Sequence, residues 1–232
     1  MGVGRSISPL LITAGPTHEP LDAVRYIGNR SSGRLGVALA LAALQRGITT
    51  TLLLGPTCHD SVSLSRQMHD SAESGAACAL RRFTTTADLE AVLADEWPGA
   101  YACLIMAAAV ADYRLPAHTR DVDKPVSKLR RSDEGLHLDL EATPDLVAAC
   151  AQRKQGGQTV VAFALEDEVG LAEAAREKMQ RKGVDGIVAN PLGTMEARSM
   201  QASLLWADGT ECASGEMDKA VFAGWLIDRL LA

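Results

Sequence analysis

Residues 10–47 read LLITAGPTHEPLDAVRYIGNRSSGRLGVALALAALQRG, and this stretch decides the fold. Leu10 to Thr13 is a short apolar run, the pattern of a buried strand, stopped by Ala14-Gly15-Pro16-Thr17. An apolar-faced helix is predicted to begin near Ser32 or Gly33 and to close at Gly47. Between them lies a polar, turn-forming insert that includes Arg25, Asn29, Arg30, Ser31 and Ser32. Strand-to-helix turns in α/β folds are usually far shorter. Such inserts, at the carboxyl end of a first strand, are where these folds bind ligands. The free N–H groups and positive dipole of the helix start suit an anion.

Further along the chain, Ile48–Leu54 reads as a second strand, and the resulting βαβ unit favours a parallel sheet. Residues 56–77 read as a long connection with a short helical turn. His59, Asp60, His69 and Asp70 lie there, but a ten-residue spacing fits no single helix or strand face, so a solvated loop is expected rather than a metal site. Ala79–Phe83 is a third strand, and Thr86 is expected to cap a helix over Asp88–Trp97. Tyr101–Ala107 is a fourth strand, apolar throughout and hence central, running into Ala107-Ala108-Ala109-Val110-Ala111-Asp112-Tyr113-Arg114. Small residues there admit a ligand close to the backbone. Residues 115–135 are polar and proline-broken, with Lys124, Lys128, Arg130 and Arg131 as the densest positive cluster, and 136–140 (LHLDL) alternates like an exposed strand. Thr143 is the expected N-cap of a helix with Pro144 at its first position. Thr159–Leu165 and Gly186–Ala189 are further strands. Leu171–Lys182 is a helix ended by Gly183, with Lys178 and Lys182 on one face. Ser203–Trp206 and Glu211–Ala213 flank the hairpin signal Asp208-Gly209, and Met217–Leu231 is a final helix.

The whole is read as one domain over residues 1–232, an α/β Rossmann-like three-layer sandwich with a mainly parallel sheet and a protruding flap or dimerisation arm in 115–140. A net charge of −6 argues against binding nucleic acid or a membrane surface, no apolar run reaches the ~18 residues of a membrane span, and no signal peptide is read at the N-terminus. Five scattered cysteines, none in a Cys-x-x-Cys pair, point to reduced thiols in a cytoplasmic protein and assign no metal to protein ligands. The polar insert, the small-residue segment, the basic flap and the helix start at Thr143-Pro144-Asp145 can all lie at one sheet edge, where an anionic nucleotide is the natural guest.

The opening stretch also resembles the motif ITAGPT-x-E-P-x-D-x-V-R-Y-I-x-N-x-S-S-G-x-x-G of the phosphopantothenoylcysteine synthetases of coenzyme A biosynthesis. It does so at Ile12–Thr17, Glu19, Pro20, Asp22, Val24–Ile27, Asn29, Ser31–Gly33 and Gly36. The resemblance continues at Ala107–Arg114, Lys128–Arg131, Thr143–Val147, Ala162–Glu166, Lys178–Gly183 and Ile187–Asn190. It implies a ligase that joins 4′-phosphopantothenate to L-cysteine through an acyl cytidylate made from CTP, releasing pyrophosphate and then CMP, with Mg²⁺ accompanying the nucleotide. By the same resemblance Asn29 would hydrogen-bond the acyl group, Arg25 would support it, and Lys128 would meet the phosphates, with Lys124 as rival for that role. Met106, Ala107, Ala108 and Asp112 would hold base and ribose, and Pro144, Asp145, Leu146, Val147, Phe163, Lys178 and Lys182 would complete the nucleotide pocket. The family's dimer implies a homodimer here. Neither flavin nor decarboxylation is expected.

The sequence departs from the family pattern in four ways. Arg130 and Arg131 replace flap lysines, Thr143 replaces an Asn, Ala162 replaces a Gly and would narrow the pocket, and the insert before Lys128 is longer. Two rival readings are a non-catalytic nucleotide-binding protein on the same fold and a nicotinamide-dependent reductase. The second needs a Tyr-x-x-x-Lys pair. Tyr26, Tyr101 and Tyr113 are instead followed four residues later by Arg30, Ile105 and Ala117.

Overall fold

The computed structural model describes residues 8–73, 75–116, 128, 130, 133, 135–195 and 197–232. Eight strands form one sheet: β1 (Leu10–Ala14), β2 (Thr50–Leu54), β3 (Cys78–Arg82), β4 (Cys103–Met106), β5 (Thr159–Glu166), β6 (Gly186–Pro191), β7 (Ser203–Trp206) and β8 (Glu211–Ala213). The order across the sheet is β8-β7-β6-β5-β4-β1-β2-β3. The first six strands are parallel, and β7 and β8 add an antiparallel edge. All five residues of β1 and of β2 are buried, which is why these strands read as unbroken apolar or β-branched runs rather than alternating ones.

Helices cover both faces. α1 (Arg34–Leu44), α2 (Ser61–Ser71) and α6 (Lys219–Leu231) bury apolar side chains against one face. α3 (Thr86–Glu96), α4 (Leu146–Arg153) and α5 (Leu171–Lys182) cover the other. The three-layer arrangement is therefore as the sequence predicts. α1 lies directly on β1, because a Cβ built on Gly36 would sit 2.2 Å from the Ala14 Cβ. Among the described residues no helix is long and apolar enough to cross a membrane.

The strand order reverses between β1 and β4. From β1 the chain moves outward to β2 and β3, and from β4 it moves outward the other way. The carboxyl ends of β1 and β4 therefore flank a crevice, the usual ligand position in an open α/β sheet.

Several local expectations are corrected. The 56–77 connection contains an eleven-residue helix, α2, hidden by its many serines; it is held by the Asp60 side chain, which accepts from the Ser63 amide at 2.7 Å, and by Leu64 and Met68 one turn apart. α3 is capped by Thr85, not Thr86, in a reciprocal box with Asp88. Residues 136–140 form no strand; Leu136, Leu138 and Leu140 are 57%, 37% and 40% exposed. The alternation is real, but the ladder forms just after it, where Glu141–Ala142 pairs with Tyr113–Arg114. An Arg114 Nε–Glu141 Oε1 bond of 2.8 Å closes that ladder. Most of the expected flap or arm, including Lys124 and Arg131, lies outside the described residues.

Candidate functional site

The parallel ladder between β1 and β4 does not stop at the strand ends. Ala107 N donates to Thr13 O at 3.1 Å and Ala109 N to Gly15 O at 2.9 Å, while Thr17 N returns a bond to Ala109 O at 3.2 Å. Gly15 makes this turn at φ +79°, a conformation that suits glycine. Side chains add to the ladder. The Thr13 hydroxyl accepts from Ala108 N at 3.2 Å and the Thr17 hydroxyl from Ala111 N at 2.8 Å. Thr17 Oγ1 also lies 3.3 Å from Thr86 Oγ1, and Glu19 Oε1 accepts from Thr86 N at 2.7 Å. Thr13, Thr17, Glu19 and Thr86 are all at most 1% exposed.

The polar insert is therefore built rather than loose. His18–Pro20 and Tyr26–Gly28 form a short hairpin whose outer face stacks the His18 ring on Tyr26 at 3.6 Å, where burial pulls the His18 pKa down. The buried Asp22 carboxylate closes its turn, accepting from Val24 N at 2.8 Å, Arg25 N at 2.7 Å and Arg25 Nε at 2.9 Å. The hairpin delivers Asn29 to the crevice, where Nδ2 donates to Ala109 O at 3.2 Å and Val110 O at 2.9 Å. The chain then enters α1 through Gly33, at φ 72° and without a side-chain cap, so the first amides of α1 carry no side-chain acceptor.

The opposite wall is charged. The Thr143 hydroxyl donates to Ala111 O at 2.6 Å and its amide to Asp112 O at 2.9 Å. Occupied in this way, Thr143 does not cap α4. Asp145 does, accepting from Ala148 N at 3.0 Å, which corrects the expected cap. Lys182 Nζ reaches both Asp145 oxygens at 2.8 Å, and Lys178 Nζ lies 3.5 Å from Glu166 Oε1. Burial pushes the Asp145 carboxyl up, but the bonds from Lys182 and Ala148 outweigh it and hold the group below its usual value.

The structure thus brings Asn29, Ala107, Ala108, Asp112, Pro144, Asp145 and Lys182 to one sheet edge through linked bonds. Arg25 serves the hairpin turn through Asp22. Met106 is 4% exposed and its sulfur accepts from Thr13 Oγ1 at 3.8 Å, so it forms the floor. Met106 pairs with Ala162, which places Phe163 level with Ala107, one step beyond the end of β4. Ala107 and Phe163 pack on the α1–α6 side and Ala108, Leu146 and Val147 on the α4–α5 side, so the candidate nucleotide residues straddle the sheet edge. Ala162 is 1% exposed in the core under α4 and α5 and does not face an open pocket, which corrects the expected narrowing. Lys128 is exposed and no bond joins it to a described residue. Among the described residues no group of three or more His, Cys, Asp or Glu side chains could hold a metal ion.

The family model for the DNA/pantothenate metabolism flavoprotein C-terminal domain matches residues 6–232. The chain belongs to this family. It is 35% identical over 236 aligned residues to the coenzyme A biosynthesis bifunctional protein CoaBC of Mycobacterium tuberculosis (strain ATCC 25618 / H37Rv), covering 96% of this chain and 51% of that protein. The chain spans about half the length of the CoaBC relatives it matches. A crystal structure of the DNA/pantothenate metabolism flavoprotein from Streptococcus pneumoniae has the same fold, with a TM-score of 0.75 at 23% identity, covering 97% of this chain and 98% of that one. A Cab2 variant in complex with phosphopantothenate-cysteine superposes with a TM-score of 0.72 at 20% identity, covering 96% of this chain and 86% of that one.

The opening stretch also holds Thr13, Thr17, Glu19 and Asp22, which the sequence reading left without a role. All four are buried polar groups that bond to backbone or to one another. For Thr13 and Thr17 the sequence signal was their type: polar groups within or beside an apolar run need internal partners.

Proposed function

We propose that this chain is a phosphopantothenate–cysteine ligase of coenzyme A biosynthesis. It activates the carboxylate of 4′-phosphopantothenate with CTP, releases pyrophosphate, and passes the acyl group from the cytidylate to the amine of L-cysteine, releasing CMP. The observation that carries the reading is the bonding of Asn29 onto Ala109 and Val110 at the switch point between β1 and β4, which unites two separate motifs in one crevice. The kinship to CoaBC proteins and the shared fold with the phosphopantothenate-cysteine complex of Cab2 support it. The CoaBC relatives are about twice as long, so giving this half the ligation step is part of the proposal.

In this reading the base and ribose lie against Met106, Ala107, Ala108 and Asp112, with Phe163 and Pro144–Val147 around them. Lys178, Lys182 and Lys128 meet the phosphates, and Arg25 braces the hairpin that carries Asn29. An acyl oxygen reaches the Asn29 amide by displacing the longer of its two bonds, the one to Ala109. Mg²⁺ would accompany the triphosphate and supply charge neutralisation there, and no residue of the chain is assigned to hold it. A homodimer in which residues 115–140 of one copy reach the other completes the proposal, as does a cytoplasmic location, where the five free cysteines stay reduced.

Pyrophosphate release is the test. With phosphopantothenate, cysteine and Mg²⁺ supplied, kcat/KM should be higher for CTP than for ATP. A preference for ATP removes the nucleotide assignment, and no release with either removes the ligase.

A further inference from the structure

The β1–β4 ladder ends at Ala109, yet Asp112, which the proposed function sets at the nucleotide, lies three residues further on. Both backbone groups of the intervening Ala111 are held by threonine hydroxyls from different parts of the fold. Thr17 accepts from its N–H at 2.8 Å and Thr143 donates to its carbonyl at 2.6 Å. Ala111 is 3% exposed and Thr17 fully buried, so water cannot replace the Thr17 hydroxyl as acceptor. Thr17 is itself tied back through Thr86 and Glu19 to the start of α3. Thr143 also donates its amide to the Asp112 carbonyl, which fixes the peptide that follows. Beyond these bonds the Asp112 carboxylate bonds to no described residue, so its aim depends on the backbone beneath it.

We infer that Thr17 and Thr143 are positioning residues: their hydroxyls clamp Ala111 from opposite sides and so set the direction of Asp112. Neither hydroxyl touches a reacting atom. A threonine at 143 fits this role because its hydroxyl reaches Ala111 O while Asp145 takes over the cap. The catalytic part of this inference rests on the proposed function; the structural part does not.

The test compares Thr17→Val, Thr143→Val, the double variant, and Thr17→Ser and Thr143→Ser. Valine keeps the shape and loses the hydroxyl, whereas serine keeps the hydroxyl. Amide hydrogen exchange over residues 107–112 should accelerate about tenfold in each valine variant, a lost bond of about that strength, with α1 and α5 unchanged. KM for the nucleotide should rise about tenfold with kcat changed far less, while both serine variants behave as wild type. The double variant should fall short of the product of the singles, because both hydroxyls act on one residue. Unchanged exchange over 107–112 in the valine variants overturns the inference. So does acceleration spread over the whole chain, or serine variants that fail like valine. If wild type catalyses no nucleotide turnover, the proposed function fails while the exchange comparison still decides the clamp.

Discussion

On the β1 side of the crevice the chain is fixed by bonds between neutral groups that water does not reach: Thr13 and Thr17 to the Ala108–Ala111 backbone, and Thr86 to Thr17. On the α4–α5 side the same crevice is edged by ion pairs open to solvent, Lys182 with Asp145 and Lys178 with Glu166, whose acidic side chains are 45% and 38% exposed. Buried neutral bonds are costly to break and hold one geometry. Exposed ion pairs contribute about 0–1 kcal/mol and exchange partners readily. In the proposed function the first wall would present the backbone to a base and ribose without moving. In the proposed function the second would keep two ammonium groups neutralised until a polyphosphate, with more charge and more oxygens than a single carboxylate, draws them away.

The largest effect is expected from crowding the rigid wall. In Gly55→Ala the new Cβ would lie 2.1 Å from Pro16 O and 2.8 Å from the Phe83 ring, forcing apart the strand-end turns of β1 and β2. A loss of about 3 kcal/mol in denaturant unfolding is expected. Gly156→Ala, with nothing within 4 Å, should change stability by no more than about 0.5 kcal/mol. Equal losses in both would show that the close approach does not matter.

Asn29→Asp comes next. It turns two donors into a carboxylate facing the Ala109 and Val110 carbonyls and an anionic substrate. Turnover should fall about a hundredfold, equivalent to about 3 kcal/mol. Pyrophosphate release should survive in part while acyl cytidylate accumulates, as rapid-quench analysis with labelled CTP would show. Normal turnover, or loss of CTP binding alone, contradicts the role given to Asn29.

The charged wall should respond least in stability and in opposite directions in binding. Lys182→Met should weaken nucleotide binding about tenfold, whereas Asp145→Asn keeps a competent cap, frees the ammonium, and should tighten it about two- to threefold. Both should unfold within about 0.5 kcal/mol of wild type. Because the Asp145 carboxyl is held below its usual value of 3.8, the pair's contribution is complete above that pH and is lost as pH falls through the lower folded value. The Tm difference between wild type and Asp145→Asn should accordingly be flat from about pH 5 to 8 and vanish in stronger acid. Calorimetry reads both quantities, and weaker binding in both variants would mean that Asp145 does not restrain Lys182.

The strands and helix ends of both walls were legible in the sequence. β1 and β4 announced themselves as apolar runs because parallel central strands are buried on both faces. α5 was bounded by its basic last turn, with Arg181 and Lys182, and by Gly183, which takes φ 66°. Asp208-Gly209 marked the β7–β8 hairpin. What escaped were choices between neighbours. Thr85 and not Thr86 caps α3, because Thr86 is drawn inward to Thr17 and Glu19. Asp145 and not Thr143 caps α4, because Thr143 is drawn to Ala111. Such choices depend on partners far away in the chain, which local propensity does not see. α2 was missed because two apolar contacts and one cap outweigh a serine-rich composition.

In the proposed function this crevice ligates phosphopantothenate to cysteine. The most direct measurement incubates the protein with 4′-phosphopantothenate, isotope-labelled L-cysteine, CTP and Mg²⁺, and follows products by mass spectrometry. The expected result is 4′-phospho-N-pantothenoylcysteine carrying the label, with CMP and pyrophosphate formed in equal amounts to it. Nucleotide binding without labelled product, or product formed without CMP and pyrophosphate, would contradict it.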